Sequence, residues 1–95
     1  MNLRKEAKGR PCMVRLPCCN GDPDTTVLAH LRMAGISGMG VKAPDLFGAW
    51  ACFDCHDAVD RRRYLDYDWE FVRLAFLEGV IRTQYVLLEE EKISA

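Results

Sequence analysis

Hydrophobic positions in this chain fall in short runs separated by turn-forming residues, and then in one longer stretch at helical spacing. Cys12-Met13-Val14-Arg15-Leu16 alternates loosely and stops at Pro17, which predicts a short strand. The turn Cys18-Cys19-Asn20-Gly21-Asp22-Pro23 follows, with Asn20-Gly21 as its strongest signal. Thr25 to His30 is rich in β-branched residues and preceded by Asp24, so it predicts a strand that ends at His30. Four glycines and Pro44 punctuate residues 35–48, which argues for an ordered loop. Phe47 to Cys52 reads as a second strand, Cys52-Phe53-Asp54-Cys55 as a knuckle and Asp54 to Arg63 as a short helix. Asp68 is a suitable N-cap for a longer helix in which Phe71, Leu74, Ala75, Ile81 and Tyr85 predict a core-facing stripe. Val86-Leu87-Leu88 either extends that helix or forms an edge strand.

Composition narrows the class. Ninety-five residues at 10.8 kDa, 49% hydrophobic and 28% charged, suit one folded domain over residues 1–95 rather than a disordered chain. Charged residues interrupt every long apolar run, which argues against a membrane span, and no apolar segment follows the basic N-terminus as in a secretory signal, so the expected compartment is cytoplasmic. Residues 1–63 carry ten Lys/Arg against seven Asp/Glu, a charge of +3, whereas residues 64–95 carry three against seven, a charge of −4. That bias alone is too small to define a polyanion binder.

Five cysteines at short spacings change the picture more. In a reducing compartment they read as metal ligands rather than disulfides, and an odd number pairs poorly. Cys52-x-x-Cys55 forms one half of a tetrahedral Zn²⁺ site, because two intervening residues let both thiolates and nearby N–H groups face the ion. The other half must come from Cys12, Cys18 and Cys19. Adjacent side chains in extended chain point apart, so one of the last two joins Cys12, and Cys19 at the Asn-Gly turn is preferred. The blander reading is that these cysteines are small buried hydrophobes. The two histidines lie at element boundaries, His30 ending a strand and His56 directly following the knuckle; a lone histidine is more often structural.

The order Cys12, Cys19, strand ending in His30, glycine-rich loop, Cys52-x-x-Cys55-His56 and helix resembles that of the zinc-stapled HNH nucleases, which have a ββα-metal core. Within them the chain is most similar to the YbcO-type prophage nucleases. The residues that carry the likeness include Leu3-Arg4-Lys5, Cys19-Asn20-Gly21, Val27 to Arg32, Pro44-Asp45-Leu46, Ala51-Cys52, Cys55-His56-Asp57, Asp60-Arg61-Arg62, Leu77-Glu78-Gly79 and Arg82-Thr83-Gln84, covering most of the chain. The resemblance implies a small α+β fold, an HNH-like ββα-metal core with a four-cysteine zinc staple and a C-terminal helix. It also implies a structural Zn²⁺ on Cys12, Cys19, Cys52 and Cys55, His30 as general base, and His56 as ligand of a separate catalytic Mg²⁺ or other divalent cation. The expected activity is endonucleolytic hydrolysis of DNA phosphodiester bonds.

The residue types suit that chemistry. An imidazole, whose ordinary pKa is about 6.5, can take a proton from water near neutral pH. A divalent cation offsets charge on the phosphorane and leaving oxygen. In many HNH nucleases an acid or histidine precedes the base and gives a second metal ligand; here Ala29 stands there and cannot. Asp60, four residues after His56 on the same helix face, is a replacement, with Asp57 and Asp45 as further candidates. Solvent pairing with an arginine is the plainer account of Asp60. Arg32, Arg61, Arg62 and Arg63 could give bidentate phosphate contacts, although an arginine run is commonly a solvated face. Trp50 and Trp69 could stack on bases but suit a core better. A homodimer would ease cleavage of both strands.

Two rivals remain at the level of sequence. Cys52-Phe53-Asp54-Cys55-His56 also matches the attachment motif for c-type haem, with Met33 or Met39 as second axial ligand, but that leaves three cysteines unexplained. The alternative function is a non-catalytic zinc-stapled module that binds nucleic acid or protein.

Overall fold

The computed structural model describes residues 2–38, 40–62 and 66–94. A short helix α1 (Leu3–Glu6) opens the chain, capped by Asn2, whose side chain accepts from the N–H groups of Arg4 and Lys5. Strands β1 (Val27–His30) and β2 (Gly48–Ala51) pair antiparallel in the register Val27↔Ala51, Leu28↔Trp50, Ala29↔Ala49 and His30↔Gly48. Helix α2 (Phe53–Val59) follows β2 with only Cys52 between them, and helix α3 (Trp69–Glu89) closes the fold. The arrangement is small α+β, a two-stranded sheet with a C-terminal helix, and α3 packs mainly on β2.

The strands lie where β-branched and small apolar residues predicted them, trimmed at each end. Thr25 belongs instead to a 3₁₀ turn over Pro23–Thr25. The strand expected over Cys12–Leu16 is absent. Arg15 takes a left-handed backbone, with φ of 61°, which interrupts any extended run there. Its neighbour Met13 still donates its N–H to the Trp50 carbonyl at 2.7 Å, so this segment lies along the free edge of β2 without extending the sheet.

Helix α2 ends at Val59, short of Arg63, which lies outside the described residues. The Arg62 N–H reaches back to the Asp57 carbonyl and the Arg61 N–H to that of Ala58, with Arg61 left-handed at φ of 56°; this is the pattern that seals a helix C-terminus. The same pattern ends α3: Lys92 N–H to Leu87 carbonyl, Glu91 N–H to Leu88 carbonyl and Glu91 at φ of 58°. Val86-Leu87-Leu88 therefore extends the helix.

The core stripe expected on α3 is a clear correction. Phe71, Leu74, Ile81 and Tyr85 are 48%, 57%, 65% and 63% exposed, and of the five residues only Ala75 packs partly against the core. The buried face consists of Val72, Phe76, Gly79, Val80, Thr83 and Leu87. Small residues explain the choice. A Cβ on Gly79 would lie 3.0 Å from Val14 Cγ2 and 3.2 Å from the Met13 carbonyl oxygen, so glycine lets α3 seat closely on that segment. Thr83 accepts the Trp50 N–H at 3.0 Å and donates to the Gly79 carbonyl at 2.8 Å, satisfying a β2 group that no strand reaches. Trp50 itself is buried, as expected, whereas Trp69 is only half-buried.

The chain ends are clasped together. Arg10 makes a bidentate pair with Glu90, both contacts at 2.6 Å, and its guanidinium stacks on Trp50 at 4.6 Å from the ring centroid. Lys92 bonds the Glu6 carboxylate beside it. The Arg10 hydrogen bond holds the Glu90 carboxyl below its ordinary pKa.

Two stability predictions follow from these contacts. Thr83→Val keeps the volume but leaves the buried Trp50 N–H without an acceptor, and urea denaturation should show a loss of about 1–3 kcal/mol. Because Glu90 is held below its unfolded pKa, its stabilising pair is complete above that unfolded value and is lost as pH falls through the folded one. Glu90→Gln should lower the melting temperature at neutral pH and flatten its decline across the acid carboxylate range.

Candidate active site and metal centre

Cys52 joins the strand to the helix and begins the thiol cluster. It is the N-cap of α2, and its Sγ accepts the Cys55 N–H at 3.4 Å. The Sγ atoms of Cys12, Cys19, Cys52 and Cys55 all lie within 4.8 Å of one another. Cys18 instead turns its thiol toward the Asp54 carbonyl at 3.8 Å. The turn that orients Cys19 is built by Asn20, whose side chain accepts the Asp22 N–H at 2.8 Å, with Gly21 left-handed at φ of 68°.

This cluster suits a tetrahedral ion. Zn–S bonds of about 2.3 Å place neighbouring sulfurs roughly 3.8 Å apart, and the Cys19 and Cys52 Sγ atoms are 3.8 Å apart. Proton placement points the same way. Hydrogen bonding with Cys55, joined by the N–H groups of Arg15, Cys52 and Val14, outweighs burial and pulls the Cys12 thiol down to about 4. Burial first, then the neighbouring Cys12 sulfur, pushes Cys19 up to about 11. Cys55 is driven up by its bond to Cys12 and by burial. Four sulfurs this close cannot all lose their protons unless a cation takes up the charge, and the cluster could hold a metal such as zinc.

The two histidines open onto one cleft of about 490 Å³, lined also by Asp60, Arg4, Arg32, Lys42 and Arg62. His30 comes from the end of β1. Its Nε2 lies 2.6 Å from Asp45 Oδ1, on the 3₁₀ turn Asp45–Phe47, and Asp45 Oδ2 is 3.7 Å from Arg4 Nε. A carboxylate only accepts, so this contact puts the imidazole hydrogen on Nε2 and leaves the Nδ1 lone pair free. His56 comes from the middle of α2. Its Nε2 is 3.0 Å from Asp60 Oδ2, the i,i+4 spacing having brought both side chains to one face.

Asp60 is not a solvated partner: its side chain is 4% exposed and also meets Arg32 Nε at 3.2 Å and Arg62 at 3.3 Å. Both Asp60 oxygens thus meet an arginine, Oδ1 that of Arg32 and Oδ2 that of Arg62, with His56 Nε2 alongside. An imidazole beside a carboxylate suits borderline transition ions as well as Mg²⁺. Ala29 is fully buried in the core and offers no ligand.

Not every expected residue reaches the cleft. Arg61 stacks on Trp69, 3.7 Å from the ring centroid, and lines a neighbouring hollow of about 300 Å³. Asp57 pairs with Arg62 at 3.9 Å. Conversely, Arg4, Lys42 and the pairing of Asp45 with His30 were not read from the spacing of residues. They arrive from α1 and the glycine-rich loop, where only a long-range contact could reveal them. No helix among the described residues is long and apolar enough to cross a membrane.

The chain is thus a small α+β protein with four clustered thiols that could hold a metal and a basic cleft lined by two histidines, each beside a carboxylate. Comparison with known proteins gives the particular family. The model of the family described as "Putative nuclease YbcO" matches residues 1–92. The chain is 48% identical over 95 residues to the "Putative nuclease YbcO" of Escherichia coli K-12, covering 99% of this chain and 98% of that protein, and equally to its namesake from Enterobacteria phage 82. A solved structure described as a putative bacteriophage protein from Escherichia coli K-12 superposes with a TM-score of 0.80 at 44% identity, covering 95% of this chain and 100% of that one. The chain belongs to this family, described as "Putative nuclease YbcO", one of whose members is from a phage.

Substitution separates the cysteines. Cys55→Ser should abolish binding of one zinc per chain, measured by metal analysis, and lower the melting temperature sharply, while Cys18→Ser should retain the metal. Because binding displaces protons from the raised thiols, zinc should be held at neutral pH and released as pH falls.

Proposed function

We propose that residues 1–95 form one HNH-type nuclease domain that hydrolyses DNA phosphodiester bonds, with His30 as general base and His56 and Asp60 as ligands of a catalytic divalent cation. The observation that carries this reading is the convergence of two histidines, each held by its own carboxylate, on one cleft edged by Arg4, Arg32, Lys42 and Arg62. Both rings line this cleft instead of the apolar core. The order β1, β2, α2 with a thiol pair at the last junction supports a ββα-metal core, and family membership supports nuclease activity.

The roles follow from the contacts. Asp45 fixes the ring of His30, leaving Nδ1 to accept a proton from water; the imidazolium formed then lies against a carboxylate that offsets its charge. Arg32 and Arg62 hold Asp60 in place beside His56. With Arg4 and Lys42 they draw the phosphate backbone into the cleft without reading its sequence. The cation, when bound, supplies Lewis-acid stabilisation of charge on the scissile phosphate and the leaving oxygen. Zinc on the four cysteines is a separate, structural ion that secures the junction from which α2 projects His56.

The test is cleavage of single-stranded, duplex and branched DNA with Mg²⁺ or Mn²⁺, after metal analysis and circular dichroism show parent and variants alike. His30→Ala should lose about 10²- to 10⁴-fold in rate, the range of a general base. Asp45→Asn should lower kcat with little change in KM, and His56→Ala should abolish metal-dependent turnover. Equal cleavage by parent and His30→Ala would overturn the assignment of His30. Binding of DNA with no cleavage under any condition would favour a zinc-stapled binding module.

A further inference from the structure

Helix α3 has two apolar faces, and only one is used. The face on β2 is built from Val72, Phe76, Gly79, Val80, Thr83 and Leu87. The opposite face carries Phe71, Leu74, Ile81, Tyr85 and Leu88, between 40% and 65% exposed. With Glu78, these positions alternate by three and four residues along the whole helix, the 3.5-residue repeat of a two-helix seam. Leu77 flanks them at 39% exposure. A single exposed leucine means little, but a seam from Phe71 to Leu88, about 27 Å long at about 1.5 Å per residue, does not arise from scattered surface residues.

We propose that this seam is the homodimer interface, in which α3 packs antiparallel against α3 of a second copy. Its size fits. Large side chains expose about 150–200 Å² when free, so the exposed fractions of the seam and Leu77 leave roughly 500 Å² of apolar surface per copy. A standard interface takes about 800 Å² per partner, of which about 65% is apolar in homodimers. The seam therefore supplies the apolar share of one such interface.

Charge fixes the direction. A parallel pair would stack the two Glu78 carboxylates on each other. An antiparallel pair about a two-fold axis between residues 79 and 80 sets Phe71 against the partner's Leu88, Leu74 against the partner's Tyr85 and Glu78 against the partner's Ile81. Each Glu78 then lies beside the partner's Arg82, and the two Glu78 carboxylates are apart. Within one chain Glu78 already lies 3.6 Å from Arg82, so the two carboxylates and two guanidiniums form a closed group at the two-fold axis. The face binding the partner is opposite the one seated on β2, so dimerisation leaves the core packing unchanged.

Sedimentation of the full-length, zinc-loaded chain from low to high micromolar concentration tests this, and it reads mass rather than cleavage. The expected result is a species of twice the 10.8 kDa chain mass that dissociates on dilution. Ile81→Glu should give the monomer mass at every concentration with unchanged helicity and zinc content. Glu78→Arg, which sets cations against cations at the two-fold axis, should weaken the dimer about tenfold. A parent that stays monomeric throughout, or a dimer indifferent to both substitutions, would overturn the proposal and leave the seam to a different partner.

Discussion

The structure depends on the junction at Cys52, where β2 passes into α2 without a loop. That residue ends the strand region, caps the helix through its thiol and stands among four clustered sulfurs. A direct strand-to-helix step leaves little freedom for the side chains beyond it. His56, one turn along, therefore points where the junction aims it, and Asp60 follows on the same face. Thr25 secures the junction from below by accepting the Phe53 N–H at 3.2 Å. Cys12 and Cys19 arrive from a segment with little regular structure of its own, and their thiols meet those of Cys52 and Cys55. In a chain of this size, where the apolar core is small, a metal held by the four would replace much of the packing that a larger domain would use.

Carboxylates organise the cleft. Asp45 fixes one imidazole and Asp60 the other, and each is in turn held by arginine: Arg4 on Asp45, Arg32 and Arg62 on Asp60. Such nested pairs limit the motion of the two rings, and burial of the Asp60 charge is tolerable only because it has partners. Arg4, Arg32, Lys42 and Arg62 also gather at the edge of this cleft in a chain whose overall charge is −1. Distribution matters here, and the total does not.

Much of this was legible in the sequence. The knuckle, the choice of Cys19 at an Asn-Gly turn, the positions of both strands and the Asp68 cap of the long helix all rest on local rules, and local geometry obeyed them. The His56–Asp60 pair is likewise local, because four residues on a helix make one turn. Arg15 is the local failure: nothing in Cys12–Leu16 announced a left-handed residue in an alternating run.

By itself, then, the sequence determined both strands, the long helix, the cysteines that cluster and the helix pair, since each depends on neighbours within a few positions. Tertiary structure alone decided which apolar face of α3 is core. Both faces repeat at helical spacing, and only the close fit of Gly79 against Val14 and of Thr83 against Trp50 selects between them. It also decided that Asp45, fifteen residues from His30, orients that ring while Arg61 turns away to Trp69. Such contacts close loops between distant segments, and periodicity carries no record of which loop ends meet.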